Sequence, residues 1–189
     1  IMTDENNPER RTQYAKVVER QIRTLTNMSA EILQFARGES AIILRPNDLH
    51  TLLNQAIDLL RTEAENRHIE IKRDEKFQGK ISCDDDKLQR VIVNLVKNAM
   101  EAIDHHGQIT ISTYTDNQHA YLSIADNGPG IPAQIANSVF DAFVTSGKKG
   151  GTGLGLSIVK KIIDEHKATI TVHPVEPHGT QFIMAFKLM

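Results

Sequence analysis

The first apolar positions of the chain fall on a single helical stripe. Tyr14, Val18, Ile22, Leu25, Met28, Ile32 and Phe35 recur at intervals of three and four, close to a coiled-coil seam, and predict one long helix over residues 8–37. Glu9, Lys16, Glu19, Arg23 and Glu31 occupy its other face, and Gly38 supplies the stop. An isolated amphipathic helix cannot bury its own stripe. This one needs a cover, either a second copy of the chain, making a homodimer, or the domain that follows.

Beyond residue 40 the pattern shortens. Residues 41–44 (Ala, Ile, Ile, Leu) read as a brief strand, and Pro46, Asn47 and Asp48 open a helix to Asn66 with the stripe Leu49, Leu52, Leu53, Ala56, Leu59, Leu60. Ile69, Glu70 and Ile71 alternate as a strand, with Lys80, Ile81 and Ser82 expected to pair with it after a turn at Gly79. Asp84 is placed to cap a third helix reaching Asp104, its inward positions being Leu88, Val91, Ile92, Leu95, Val96, Ala99 and Ile103. Alternation at Ile109, Ile111, Thr113 and at Ala120, Leu122, Ile124, about a turn at Asp116, Asn117 and Gln118, predicts a hairpin that ends on Asp126. A last helix carries Leu156, Ile158, Val159, Ile162 and Ile163. It is followed by strands at Ile170 and Val172 and at Phe182, Met184 and Phe186, on either side of Pro177, His178 and Gly179. The expected fold class is α+β: a two-layer α/β sandwich whose mixed, mainly antiparallel sheet packs on three helices, preceded by the long N-terminal helix. The expected division is a helical segment over residues 1–40 and a domain over 41–189.

Composition narrows the function classes. At 189 residues, 40% hydrophobic and 24% charged, the chain has the make-up of an ordinary globular protein. A net charge of −2 gives no general attraction to nucleic acid or anionic membrane. No apolar run approaches the roughly 18 residues of a membrane span, and no signal peptide is visible. The single cysteine, Cys83, excludes an internal disulfide and fits a reducing, cytoplasmic setting; it reads as a small residue at a strand end rather than a reactive thiol. Ile1 precedes Met2, so an excised fragment is expected, and the parent protein could still be membrane-anchored.

Two glycine-rich turns carry the first chemical signal. One runs Asp126-Asn127-Gly128-Pro129-Gly130-Ile131-Pro132, the other Gly151-Thr152-Gly153-Leu154-Gly155-Leu156, and the second leads straight into the last helix. Glycine permits close backbone approach to a ligand, and a helix N-terminus offers free N–H donors and the positive end of its dipole to phosphate. The strings fit neither a P-loop, which needs G-x-x-x-x-G-K-[ST], nor a dinucleotide turn with G-x-G-x-x-G early in a βαβ unit. On the third helix, Asn94 and Asn98 stand at i and i+4, so both amides project from one face, with Arg90, Lys97 and Glu101 near the same polar edge.

These blocks resemble the catalytic ATP-binding domain of sensor histidine kinases from two-component systems, part of the wider group of gyrase B, heat-shock chaperone and MutL ATPases. The matching strings, in order, begin at Asn94 (through Asn98 and Ala99), at Asp126 (through Pro132), at Val139 (through Phe143) and at Gly151 (through Leu156), with Gly179 and Thr180 late in the chain. The resemblance covers residues 41–189 and implies the Bergerat-type ATP-binding fold. More loosely, the N-terminal helix with Phe35, Ala36, Arg37 and Gly38 resembles the second helix of the family's dimerisation hairpin.

The resemblance implies ATP and Mg²⁺ as cofactors and nucleotide contacts at Asn94, Lys97, Asn98, Asp126, Gly128, Gly130, Ile131, Phe143, Lys148, Gly151, Thr152, Gly153, Leu154, Gly155, Leu156 and Thr180. Asp126 would accept from the adenine amino group. Asn98 would give a hard amide oxygen to Mg²⁺. Asn94, one turn away, would hold phosphate or a metal-bound water. Lys148, on a lid after Thr145 and Ser146, would add charge at the terminal phosphate. The family's lid reads Thr-Thr-Lys, and here Ser146 and Gly147 intervene before Lys148. Phe140 and Phe143 are expected to anchor the lid by packing or, as an equal alternative, to fill the core. Asn94 and Lys148 are the catalytic candidates.

Position 94 separates rival activities. Related ATPases carry Glu there as a general base, work that an amide cannot do, whereas a neutral imidazole acceptor needs none. That favours phosphoryl transfer to histidine over steady hydrolysis, with transfer resting on alignment and charge neutralisation. The family's acceptor histidine precedes an acid, and none of the eight histidines here does (His50, His68, His105, His106, His119, His166, His173, His178). The chain is expected to bind ATP without phosphorylating itself, the acceptor lying on a segment outside it, and to serve a response regulator through the full-length kinase. The alternative is a non-catalytic ATP-binding module that regulates through its helical appendage. His105 and His106 lack a third ligand in spacing for a metal; His68 and His166 read as surface or helix-end residues.

Overall fold

The computed structural model describes residues 41–145 and 152–188 and, ahead of them, helical residues between Arg10 and Ser29 (10–15, 17–19, 21–22, 25–26 and 29). Met28, Ile32, Phe35 and Gly38 of the predicted helix lie outside the described residues. Among the described stripe positions Tyr14, Val18, Ile22 and Leu25 are all exposed, at 56–66%. The following domain does not cover them.

From residue 45 the elements are β1 (Arg45–Asp48), α1 (Leu49–Asn66), β2 (Ile69–Glu75), β3 (Lys80–Cys83), α2 (Asp85–Ile103), β4 (Gly107–Thr115), β5 (His119–Asp126), a 3₁₀ turn, α3 (Gly155–Glu165), β6 (Thr169–Pro174) and β7 (Thr180–Lys187). The main sheet has the order β2-β4-β5-β7-β6. Only β2 and β4 run parallel; the other three pairs are antiparallel. Ile109, Ile111, Leu122, Ile124, Phe182, Met184 and Phe186 join one buried cluster with the stripes of the helices, Leu49, Leu53, Leu88, Ile92, Leu95, Ile158 and Ile162 among them. This is the two-layer sandwich that the alternating patterns require.

Helix starts follow their capping chemistry. Asp48 caps α1 through the Thr51 N–H, and Asp84 caps α2 through the Lys87 N–H, each side-chain oxygen filling a donor that the helix leaves open. Cys83 ends β3 as expected, fully buried, and burial pushes its thiol up to about 11.

Two pairings differ from the sequence reading. Residues 41–44 form no strand: the Ile43 N–H is bound by Asp84 Oδ2 at 3.0 Å, and the ladder starts at Arg45 instead, opposite Cys83. The second is β3, which pairs with β1 and not with β2. At the end of β2 the N–H groups of Lys76 and Phe77 both donate to Thr113 O of β4, and Thr113 Oγ1 donates back to Phe77 O. The chain thus stays on β4, and Gly79, whose carbonyl accepts from Leu49 N–H, then carries it away to β1.

Of the two readings for His166, surface or helix end, the structure takes the second. It is the C-cap of α3, yet only 6% exposed, so a surface role is excluded; Nδ1 donates to Ile162 O at 2.7 Å and Nε2 accepts from Asp84 N–H at 3.0 Å. His68 is exposed at the turn after α1. Among the described residues no group of His, Cys, Asp and Glu could hold a metal ion.

Candidate functional site

Helix α2 is central among the helices, packed between α1 and α3. Its buried stripe leaves Asn94, Lys97 and Asn98 on the polar edge, and Asn98 and Ala102 are the residues that meet the glycine turns. Asn94 and Asn98 are half-buried and Lys97 exposed.

The first turn is built on the end of β5. Asp126 lies in register between Ile109 of β4 and Thr180 of β7, so its position is fixed from both sides. It is 6% exposed, as is Thr180. Its Oδ1 accepts the Gly128 N–H at 2.8 Å. A Cβ on Gly128 would stand 3.4 Å from Ala102 on α2. Gly179 closes the turn from the other side: its φ is +137°, and a Cβ there would lie 2.1 Å from Asp126 O, a position only glycine can hold. Ile131 is half-buried and packs against the core.

The second turn meets the same helix one turn earlier. A Cβ on Gly155 would come within 3.8 Å of Asn98 Nδ2 and 4.0 Å of its Oδ1. Asn98 and Ala102, at i and i+4, thus face the two glycine turns. Gly153 has φ +71°, and a Cβ there would strike the Phe143 backbone at 2.6 Å. Its carbonyl accepts the Phe143 N–H at 3.0 Å, tying the start of the lid segment to the turn. Thr152 Oγ1 accepts the Leu154 N–H at 3.2 Å. Leu154 is buried and Leu156 packs on the core, so their side chains belong to the fold and only their backbone faces the turn. The N-terminus of α3 carries no side-chain cap. Its first N–H groups, which an α-helix leaves without intrahelical partners, begin beside the Asn98 amide.

The two aromatics part company, and for Phe140 core filling is what the structure shows. Phe140 packs on the core with its ring 6.2 Å from Phe182, edge to face. Phe143 is 69% exposed. Its φ of +68° bends the backbone toward Gly153 and turns the ring outward. Lys148 and Gly151 lie outside the described residues.

Around α2 the fold thus gathers a buried carboxylate at Asp126, a helix N-terminus with no side-chain cap and the Asn98 amide beside it. One contact was not legible beforehand. His178, read only as part of a turn, places Nδ1 3.0 Å from Gly128 O.

Comparison with known proteins identifies the family and the fold. The family described as histidine kinase-, DNA gyrase B-, and HSP90-like ATPase matches residues 83–189. Sensor histidine kinase ZraS of Escherichia coli (strain K12) is 31% identical over 173 residues, which is 91% of this chain and 37% of ZraS. The catalytic domain of histidine kinase ThkA, nucleotide-free, has a TM-score of 0.71 at 30% identity, covering 77% of this chain and 95% of that one. ThkA in complex with the response regulator protein TrrA has a TM-score of 0.82 at 25% identity, covering 97% of this chain and 53% of that one. The chain therefore spans well under half the length of the curated relative.

Proposed function

Because this chain belongs to the histidine kinase-, DNA gyrase B- and HSP90-like ATPase family and carries its ATP-binding domain, we propose that it transfers the terminal phosphoryl group of ATP to a histidine on a segment outside the chain. The observation that carries this is the meeting of Asn98 and Ala102, one turn apart on α2, with the two glycine turns. Asp126 reads the adenine amino group, the start of α3 takes the phosphates, and Asn94 sits one turn from Asn98 on the same face. Asn98 is the residue that would hold Mg²⁺, and the ion, when bound, supplies neutralisation of phosphate charge. The amide at position 94, where a hydrolase of this type needs a carboxylate base, supports an imidazole acceptor over water.

The division into a helical segment over residues 1–40 and a catalytic domain over 41–189 belongs to this reading. So does a homodimer through the N-terminal helix, whose exposed Tyr14, Ile22 and Leu25 await a cover. A response regulator would be the next acceptor in the intact protein, in keeping with the ThkA–TrrA complex. No helix among the described residues is long and apolar enough to cross a membrane; a cytoplasmic setting is the one that fits a lone buried thiol.

The test is incubation with Mg²⁺ and γ-labelled ATP plus a hairpin segment bearing an acceptor histidine. Acid-labile, base-stable label on that histidine is expected. ATP binding without label on any tested hairpin would favour the regulatory module instead.

A further inference from the structure

The loop between β6 and β7 lies against the base-reading turn at several points. Val175 N–H donates to Gly179 O at 3.2 Å, closing the loop on itself. Gly179 stacks on the Asp126 carbonyl, and a Cβ on Gly130 would stand 3.2 Å from Gly179 O. Against this frame His178 Nδ1 lies 3.0 Å from the carbonyl of Gly128. A carbonyl only accepts, so Nδ1 carries the proton and donates. Gly128 is buried while His178 is exposed, so the ring satisfies a buried acceptor from the outside.

Gly128 is thereby held at both of its polar groups: its N–H on Asp126 Oδ1 and its C=O under His178. The strand ladder fixes the Asp126 backbone without help from His178, through Ile109 and Thr180. What the ladder does not fix is the turn that engages the carboxylate. We infer that His178 is a positioning residue for purine recognition, setting Gly128 so that Asp126 presents its carboxylate to an adenine amino group. The inference rests on the nucleotide reading above and adds to it a residue on a separate loop that governs base preference.

The chemistry predicts an ordered series of variants. In asparagine the amide nitrogen is bonded to Cγ, as Nδ1 is in histidine, so His178→Asn keeps a donor near the same place. His178→Asp sets a carboxylate against a carbonyl, and His178→Ala leaves the carbonyl to water.

Calorimetric titration of the whole chain with Mg-ATP and Mg-GTP tests this, with thermal melting to confirm that each variant is folded. His178→Ala is expected to weaken ATP binding roughly two- to tenfold, the scale of one net hydrogen bond, and to lower the preference for ATP over GTP. His178→Asn should restore both, and His178→Asp should fall below His178→Ala. In an Asp126→Asn background the alanine replacement should add little, since it acts through that carboxylate. An alanine variant with wild-type ATP affinity and base preference would overturn the inference while leaving the nucleotide site standing. So would an undiminished loss in the Asp126→Asn background. Failure of the wild-type chain to bind ATP at all would instead remove the nucleotide reading, and this inference with it.

Discussion

The backbone N–H of Asp84 donates to Nε2 of His166 at 3.0 Å, joining residues 82 positions apart. Asp84 is the N-cap of α2 and His166 the C-cap of α3, so the bond pins the start of one helix to the end of the other. Lys87 and Glu165 add an ion pair at 2.9 Å beside it, with side chains 12% and 29% exposed. At the far end of the same pair, Asn98 faces Gly155. A join some 20 Å away, at 1.5 Å per residue, thus sets the alignment on which the candidate site depends.

Asp84 carries three duties at that join: it caps α2, it binds the Ile43 N–H at 3.0 Å, and its own N–H engages His166. Asp84→Ala removes the first two. A loss of about 1 kcal/mol, within the usual range of about 0.5–2 for an N-cap, is expected, or roughly 2–4 °C in melting temperature. Calorimetric melting that shows no change would mean that water replaces the carboxylate at no cost.

Acid should weaken the fold through the same caps. Burial raises the Asp84 carboxyl, but the N–H groups of Ile43 and Lys87 outweigh it and hold the group below its ordinary 3.8. At Asp48 the Thr51 hydroxyl and N–H do likewise. Since both are depressed in the folded state, their stabilisation is present above the unfolded value and vanishes as pH falls through the folded one. Melting temperature should therefore drop below about pH 4, and the drop should be blunted in the Asp48→Asn, Asp84→Asn double variant. An identical acid limb in that variant would assign the loss to other groups.

Asp126→Asn should weaken ATP binding by about 1.5–3 kcal/mol, the scale of a hydrogen bond to a charged group. Titration calorimetry gives the number directly. Unchanged affinity would refute the base-reading role.

Asn98→Ala addresses the metal. The gain in ATP affinity between chelator and Mg²⁺ should shrink by roughly tenfold or more, with the Mg²⁺-free affinity little altered. If the variant keeps the full Mg²⁺ effect, the ion sits on other ligands.

The sequence was most readable where a residue's neighbours along the chain determine its surroundings. Asp48 and Asp84 cap the helices that they precede, and the alternation at Ile109 and Ile111, Leu122 and Ile124 names the core face of the hairpin. Partners distant in sequence were harder. Nothing local to residues 41–44 announces that Asp84 will take the Ile43 N–H and displace the strand to Arg45. The route of β3 to β1 likewise depends on Thr113, far along the chain, which holds Lys76 and Phe77 on β4. His166 and His178 look alike as isolated histidines, and only the fold buries one between two helices and leans the other on Gly128. In the site, the amides of α2 and the glycine strings were visible as types and spacings. Their meeting across α2 was not, because it follows from how α3 is seated.

The outward set of Phe143 has a practical consequence. The chain contains no tryptophan, and this ring stands in solvent while its backbone is bonded to the Gly153 carbonyl. An indole introduced by Phe143→Trp would be the sole one in this chain, mounted on backbone that touches the second glycine turn. Its emission should shift when nucleotide is added, giving an optical gauge of occupancy that needs no labelled ligand; a spectrum indifferent to saturating ATP would show that the turn and the lid base do not sense the ligand together.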